Sequence, residues 1–342
     1  MRTNSSTTVS EEIIFLNLVL GIASFIQTGA GILGNVFLLW HYLFIFLFVH
    51  RPRPIDSIFF HLALANSIML ISKGVPQTMV GLGLKISLDH IGCKLIIFVH
   101  RVARSLSLSL ACLLSGFQII TISSSTFSLV SDLKANASKL IKPLCFFCWI
   151  LHIQINIFVF VNMKNFVGSS NSTRIWHMGF CSNFIPASFK VSLFVILYCL
   201  PDFLYVGFMV LVSGSLVLVL QRHHQQVQHI HRSSLSSKRS SEMRATYTIL
   251  VFVSIYVSFT LANSILSVYL FEFEKSFGWL IPTSALLAAC FPAISPFVFI
   301  SCDSQILHFF YSLWGKKRSQ DSLFPRSSTA HHSTSILTRR YL

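Results

Sequence analysis

The chain has 342 residues, 53% of them hydrophobic and only 11% charged, yet its formal net charge is +15. Soluble domains carry about 25% charged residues, so this composition excludes a soluble enzyme or binding domain. A basic surplus of this size raises nucleic acid as a partner, but the lysines and arginines gather on alternate connections between apolar runs, which is the pattern of a membrane topology signal.

Crossing a hydrocarbon core about 30 Å thick takes roughly 20 apolar residues of helix. Seven runs reach that length: Asn17–Leu47, Ser57–Val80, Cys93–Ser123, Leu140–Met163, Val191–Leu220, Ala245–Phe271 and Trp279–Ser301. Backbone groups find no water there, so each run is predicted to be an α-helix. The expected fold is an all-α membrane protein, a seven-helix bundle over residues 17–301. One set of connections holds Arg51 and Arg53; Lys134, Lys139 and Lys142; Arg222, Arg232, Lys238, Arg239 and Arg244; and Lys316, Lys317 and Arg318. The other set holds only Arg2, Lys85, Lys164, Arg174, Lys190 and Lys275. By the positive-inside rule the first set is cytoplasmic, which places residues 1–16 outside and the C-terminus inside.

The connections carry their own signals. Asn4-Ser5-Ser6 and Asn171-Ser172-Thr173 are glycosylation sequons on the expected outer side, whereas Asn136-Ala137-Ser138 falls inside. Cys112, Cys145, Cys148, Cys199 and Cys290 lie within helices and read as small apolar residues. Cys93 and Cys181 both fall on the oxidising side, and a disulfide between them would close about 90 residues, worth on the order of 4 kcal/mol. Gln221–Arg244 reads as a flexible, serine-rich cytoplasmic loop; its four histidines have no cysteine or carboxylate companions, so no metal site is expected. After the seventh run, Ile306, Leu307, Phe309, Phe310, Leu313 and Trp314 recur at helical spacing before Lys316-Lys317-Arg318. That pattern predicts an interfacial helix over residues 302–315 lying against membrane lipid, followed by a disordered cytoplasmic tail, 316–342.

An ionisable side chain within the bilayer is costly and usually faces the bundle interior, which makes it a functional candidate. The third run carries His100, Arg101 and Arg104 on one stripe, with both arginines about 12–17 Å below Cys93. The fifth carries Asp202 and the upper second carries Lys73. Two readings stand side by side. Asp202 pairs with Arg101 or Arg104 and joins the third and fifth helices, or an arginine takes an acidic or acceptor-rich ligand in bidentate hydrogen bonds.

Gly31-Ile32-Leu33-Gly34-Asn35, Arg53-Pro54-Ile55-Asp56, His61-Leu62-Ala63-Leu64-Ala65-Asn66, Ser72-Lys73-Gly74-Val75-Pro76, His100-Arg101-Val102-Ala103-Arg104, Cys148-Trp149-Ile150-Leu151-His152 and Ser295-Pro296-Phe297-Val298 run in order along the chain. Together they resemble the vomeronasal type-1 receptors, a family of pheromone G-protein-coupled receptors. The resemblance implies a plasma-membrane receptor that binds a small pheromone-like molecule outside and activates a heterotrimeric G protein, of the inhibitory type, inside. Relative to rhodopsin-like receptors, Phe117-Gln118-Ile119 replaces the acidic-Arg-aromatic switch, Asn66 stands where a sodium-binding aspartate is common, and Ser295-Pro296-x-x-Phe299 lacks the tyrosine hydroxyl of the usual seventh-helix motif. Gln118, Arg244 and the third inner connection are the expected G-protein contacts.

A bitter-taste-type receptor is the nearest alternative, and the pairable Cys93 and Cys181 argue against it. A small-solute transporter is the alternative from another class, but the chain shows no repeated halves. Neither a nucleophile with its base nor paired carboxylates are evident, so no catalytic residues and no cofactor are expected.

Overall fold

The computed structural model describes residues 3–48, 52–84, 86, 88–122, 128–162, 174–177, 182–185, 200–215, 217–218, 221, 236–272, 279–302 and 306. The helices are α1 (Thr3–Phe48), α2 (the span Pro54–Gly81), α3 (His90–Ile122), α4 (Ser128–Asn162), α5 (Leu200–Ser215), α6 (Ser236–Glu272) and α7 (Leu280–Cys302). Six contain apolar stretches long enough to cross a membrane, and α5 is a shorter apolar helix within the fifth expected run. Three helices extend beyond the apolar runs. α1 begins at Thr3, so most of the expected outer tail continues the helix; no Gly or Pro interrupts it before Gly21. α4 begins at Ser128 and α6 at Ser236, which makes part of the expected second inner connection and the serine-rich end of the expected third helical. The connection after α4, expected on the outer side, holds an antiparallel hairpin, β1 (Arg174–His177) and β2 (Ser182–Ile185), with Arg174 opposite Ile185.

α3 is the central helix. Two-thirds (67%) of its apolar stretch is buried, against 22% in both α4 and α6. The core gathers Leu38 and Tyr42 from α1, Ile58 and Leu62 from α2, Leu106, Leu110 and Leu114 from α3, and Phe291 and Phe299 from α7. Leu33, Leu211 and Ile265 point outward, where the solvent is hydrocarbon and an exposed apolar side chain carries no penalty.

Two breaks in helical regularity position polar groups. α2 contains a π-helical turn, Leu70–Gly74, one residue before Val75 and Pro76. Pro76 lacks an N–H and its ring would strike the carbonyl four residues earlier, so the wider turn relieves the clash. In α7, Pro296 leaves the Pro292 carbonyl without its helical donor. The Asn35 side chain of α1 donates to that carbonyl at 2.9 Å and to the Gly31 carbonyl at 2.7 Å. Gly31 allows this approach: a Cβ there would lie 2.8 Å from the Ala293 backbone.

Candidate functional site

The polar groups of the bundle converge around the middle of α3. Arg104 donates to Asp202 of α5 in an ion pair whose side chains are 11% and 8% exposed. Ser264 of α6 donates to the same Asp202 oxygen at 3.0 Å and lies 3.4 Å from the Arg104 guanidinium. Three helices thus meet at one carboxylate. Of the two arginines that could pair with Asp202, Arg104 is the one that does.

Arg101 turns the other way and donates through Nε to the Asn156 side-chain oxygen of α4 at 3.1 Å. Asn156 is held in turn by its own donation to the His152 carbonyl at 2.8 Å. His100 faces α2, with Nδ1 3.4 Å from Ser72 Oγ in the π-helical turn. Lys73 sits in the same turn, partly buried, within electrostatic reach of both Arg104 and His100. The expected single stripe is therefore a fan over three neighbouring helices. The middle of the bundle contains three cations (Lys73, Arg101 and Arg104) and one carboxylate among the described residues.

Beneath the ion pair lies a cavity of about 30 Å³, room for about two water molecules. Arg104, Asn263, Thr260 and Tyr256 supply its polar wall, with Met69, Phe259 and Leu287 among its apolar groups. Its floor joins a second polar cluster. Ser107, which also lines the cavity, donates to Asn66 Oδ1 at 2.9 Å, and Asn66 Nδ2 donates to Ser295 Oγ at 2.9 Å. These links tie α3, α2 and α7 together with neutral groups only, where a carboxylate would have demanded a counter-ion.

The other anticipated positions are less central. Gln118 is 4% exposed near the C-terminal end of α3. Arg244 belongs to the extension of α6, and Asn4 to the first turns of α1. Cys93 is disulfide-bonded; Cys181 and Asn171 lie outside the described residues, as does nearly all of the expected interfacial helix. No metal-holding group of His, Cys, Asp or Glu occurs among the described residues. A search limited to ionisable residues overlooks Asn35, Asn156, Asn263, Ser107 and Ser264. Their signal is an amide or hydroxyl inside an apolar run, where every polar group needs a partner.

Comparison with known proteins accounts for this architecture. The vomeronasal organ pheromone receptor family matches residues 18–312. Vomeronasal type-1 receptor 1 of Homo sapiens is 42% identical, covering 92% of this chain and 88% of the relative. Human vomeronasal type-1 receptor 3 is 44% identical over 83% of this chain and 91% of its own length. Olfactory receptor class A-like protein 1 of Danio rerio is 32% identical over 84% and 90%. Among solved structures, squid rhodopsin shares the fold with a TM-score of 0.66 at 14% identity, covering 96% of this chain and 91% of that one. The transporter alternative finds no support. The apolar spans, the α3-centred polar site and these matches lead to one conclusion: the chain belongs to the vomeronasal type-1 receptor family and is a multi-pass chemosensory G-protein-coupled receptor.

Proposed function

We propose that the cavity beside Arg104 is the ligand site, and that it takes a small, largely apolar molecule with an acidic or acceptor-rich end. The observation that carries this reading is the position of Arg104, in the cavity wall and in the tie to Asp202 and Ser264 at once. Lys73 and His100 extend the basic character toward α2, and Arg101 stiffens the α4 side. At about 30 Å³ the cavity is far smaller than the roughly 300–1,000 Å³ of typical ligand pockets. A ligand that fills it must widen the space between α3, α6 and α7, and an acidic group on it competes with Asp202 for Arg104. It therefore binds the widened arrangement more tightly and shifts the population toward it.

In this reading the N-terminus is extracellular, the receptor resides in the plasma membrane, and Cys93 pairs with Cys181. Asn171 and Asn4 carry glycans. Residues 302–315 lie on lipid as an interfacial helix and 316–342 form a disordered tail. The partner inside is a heterotrimeric G protein of the inhibitory type. Arg244, on the inner extension of α6, and Gln118, uncovered when the inner ends separate, contact it.

The test is nucleotide exchange on an inhibitory-type G protein with the full chain reconstituted in membranes, acidic and neutral small molecules being tried separately. Exchange driven by acidic compounds and abolished in a surface-expressed Arg104→Gln variant supports the assignment. Exchange driven equally by neutral compounds and indifferent to that substitution overturns it.

A further inference from the structure

Asn263 occupies a position in the cavity that the ion pair does not use. It is 5% exposed, lines the same cavity as Arg104, Thr260 and Tyr256, and its side-chain oxygen has no hydrogen-bond partner. Its neighbour Ser264, about 100° further round α6, faces Asp202 instead. One turn of α6 thus presents two faces, a hydroxyl that holds the helix to α3 and α5 and an amide in the cavity wall. A buried carbonyl oxygen without a donor is costly, and such an atom in a cavity wall is completed by whatever enters.

We propose that Asn263 is the second polar anchor of the ligand site and selects ligands bearing a hydrogen-bond donor, a hydroxyl or an amine, on a body whose acidic or acceptor end meets Arg104. This rests on the reading of the cavity as the ligand site and adds the ligand's second functional group. Sites built to hydrogen-bond a substrate hydroxyl discriminate against the analogue lacking it, because the site's own polar atom is then left unpaired.

The experiment uses the full chain in membranes with an inhibitory-type G protein. The probes are linear and cyclic carboxylic acids of eight to twenty carbons, each with and without a hydroxyl. Wild type is expected to respond to the hydroxylated member at about tenfold lower concentration, the scale of one hydrogen bond. Asn263→Leu should erase that preference while Arg104 remains necessary. Asn263→Gln, which keeps a neutral amide acceptor, should retain it and covers the case in which the leucine variant fails to reach the surface. Equal responses to both members of every pair, or a preference that survives Asn263→Leu, overturn the assignment and leave the cavity reading intact. No response to any probe from a receptor present at the surface overturns both.

Discussion

The two sides of the bundle are held by different means. On one side α1, α2 and α7 meet at backbone distance. Gly21 faces Gly81, where a Cβ would lie within 2.5 Å of backbone atoms, Gly31 faces Ala293, and Asn35 closes the gap left by Pro296. On the other side α5 and α6 reach α3 through side chains, chiefly Asp202 and Ser264. Contacts between small residues allow little adjustment, because any movement opens a void or creates a clash. A tie made by one carboxylate can exchange partners. The first side is suited to be a frame, and the second is the part a ligand could displace.

The largest effect expected from breaking this contrast comes from Asp202→Leu. It strands Arg104 in the bundle and should destabilise the receptor by about 3–5 kcal/mol, read as a lowered thermal midpoint of the purified protein. Adding Arg104→Met should recover most of the loss, since two apolar groups replace a buried pair at little cost. Next comes Gly31→Leu on the frame side. Overpacking against Ala293 should cost about 1–3 kcal/mol or more and reduce the surface fraction measured by antibody labelling. Asn35→Leu should cost about 1–3 kcal/mol by removing two buried hydrogen bonds and leaving the Pro292 carbonyl only the long Ser295 donation at 3.4 Å, with basal nucleotide exchange unchanged. Ser264→Ala is the smallest, about 0.5–1.5 kcal/mol, but it should raise basal exchange where Asn35→Leu does not. Equal basal exchange in those two variants would remove the distinction between frame and movable side.

Some of the site was legible before the fold was known. His100, Arg101, Arg104, Lys73 and Asp202 stand out because ionisable groups are rare in apolar runs. What each does was not legible. On a helical wheel Arg104 lies about 40° from His100 and Arg101 about 100°, so all three pass as one stripe. The placement of α2, α4 and α5 around α3 then sends them to Ser72, Asn156 and Asp202. The amides Asn35 and Asn263 carry no charge to mark them, and their importance depends on a carbonyl or a cavity supplied by other helices. The π-helical turn has a local cause in Pro76, but its consequence, Ser72 and Lys73 set toward His100 and Arg104, involves two helices.

By itself, then, the sequence determined the class of fold and the segments that cross the membrane. Hydropathy over some 20 residues is a local property, and in hydrocarbon it leaves the backbone no alternative to the helix. The order of its motifs also pointed to the family. The tertiary structure alone decided that Arg104 rather than Arg101 meets Asp202, that Ser264 completes the tie, and that Asn263 faces a cavity. The physical reason is that a helix specifies only the angle and height of each side chain, and the choice of partner depends on which neighbours pack against that face.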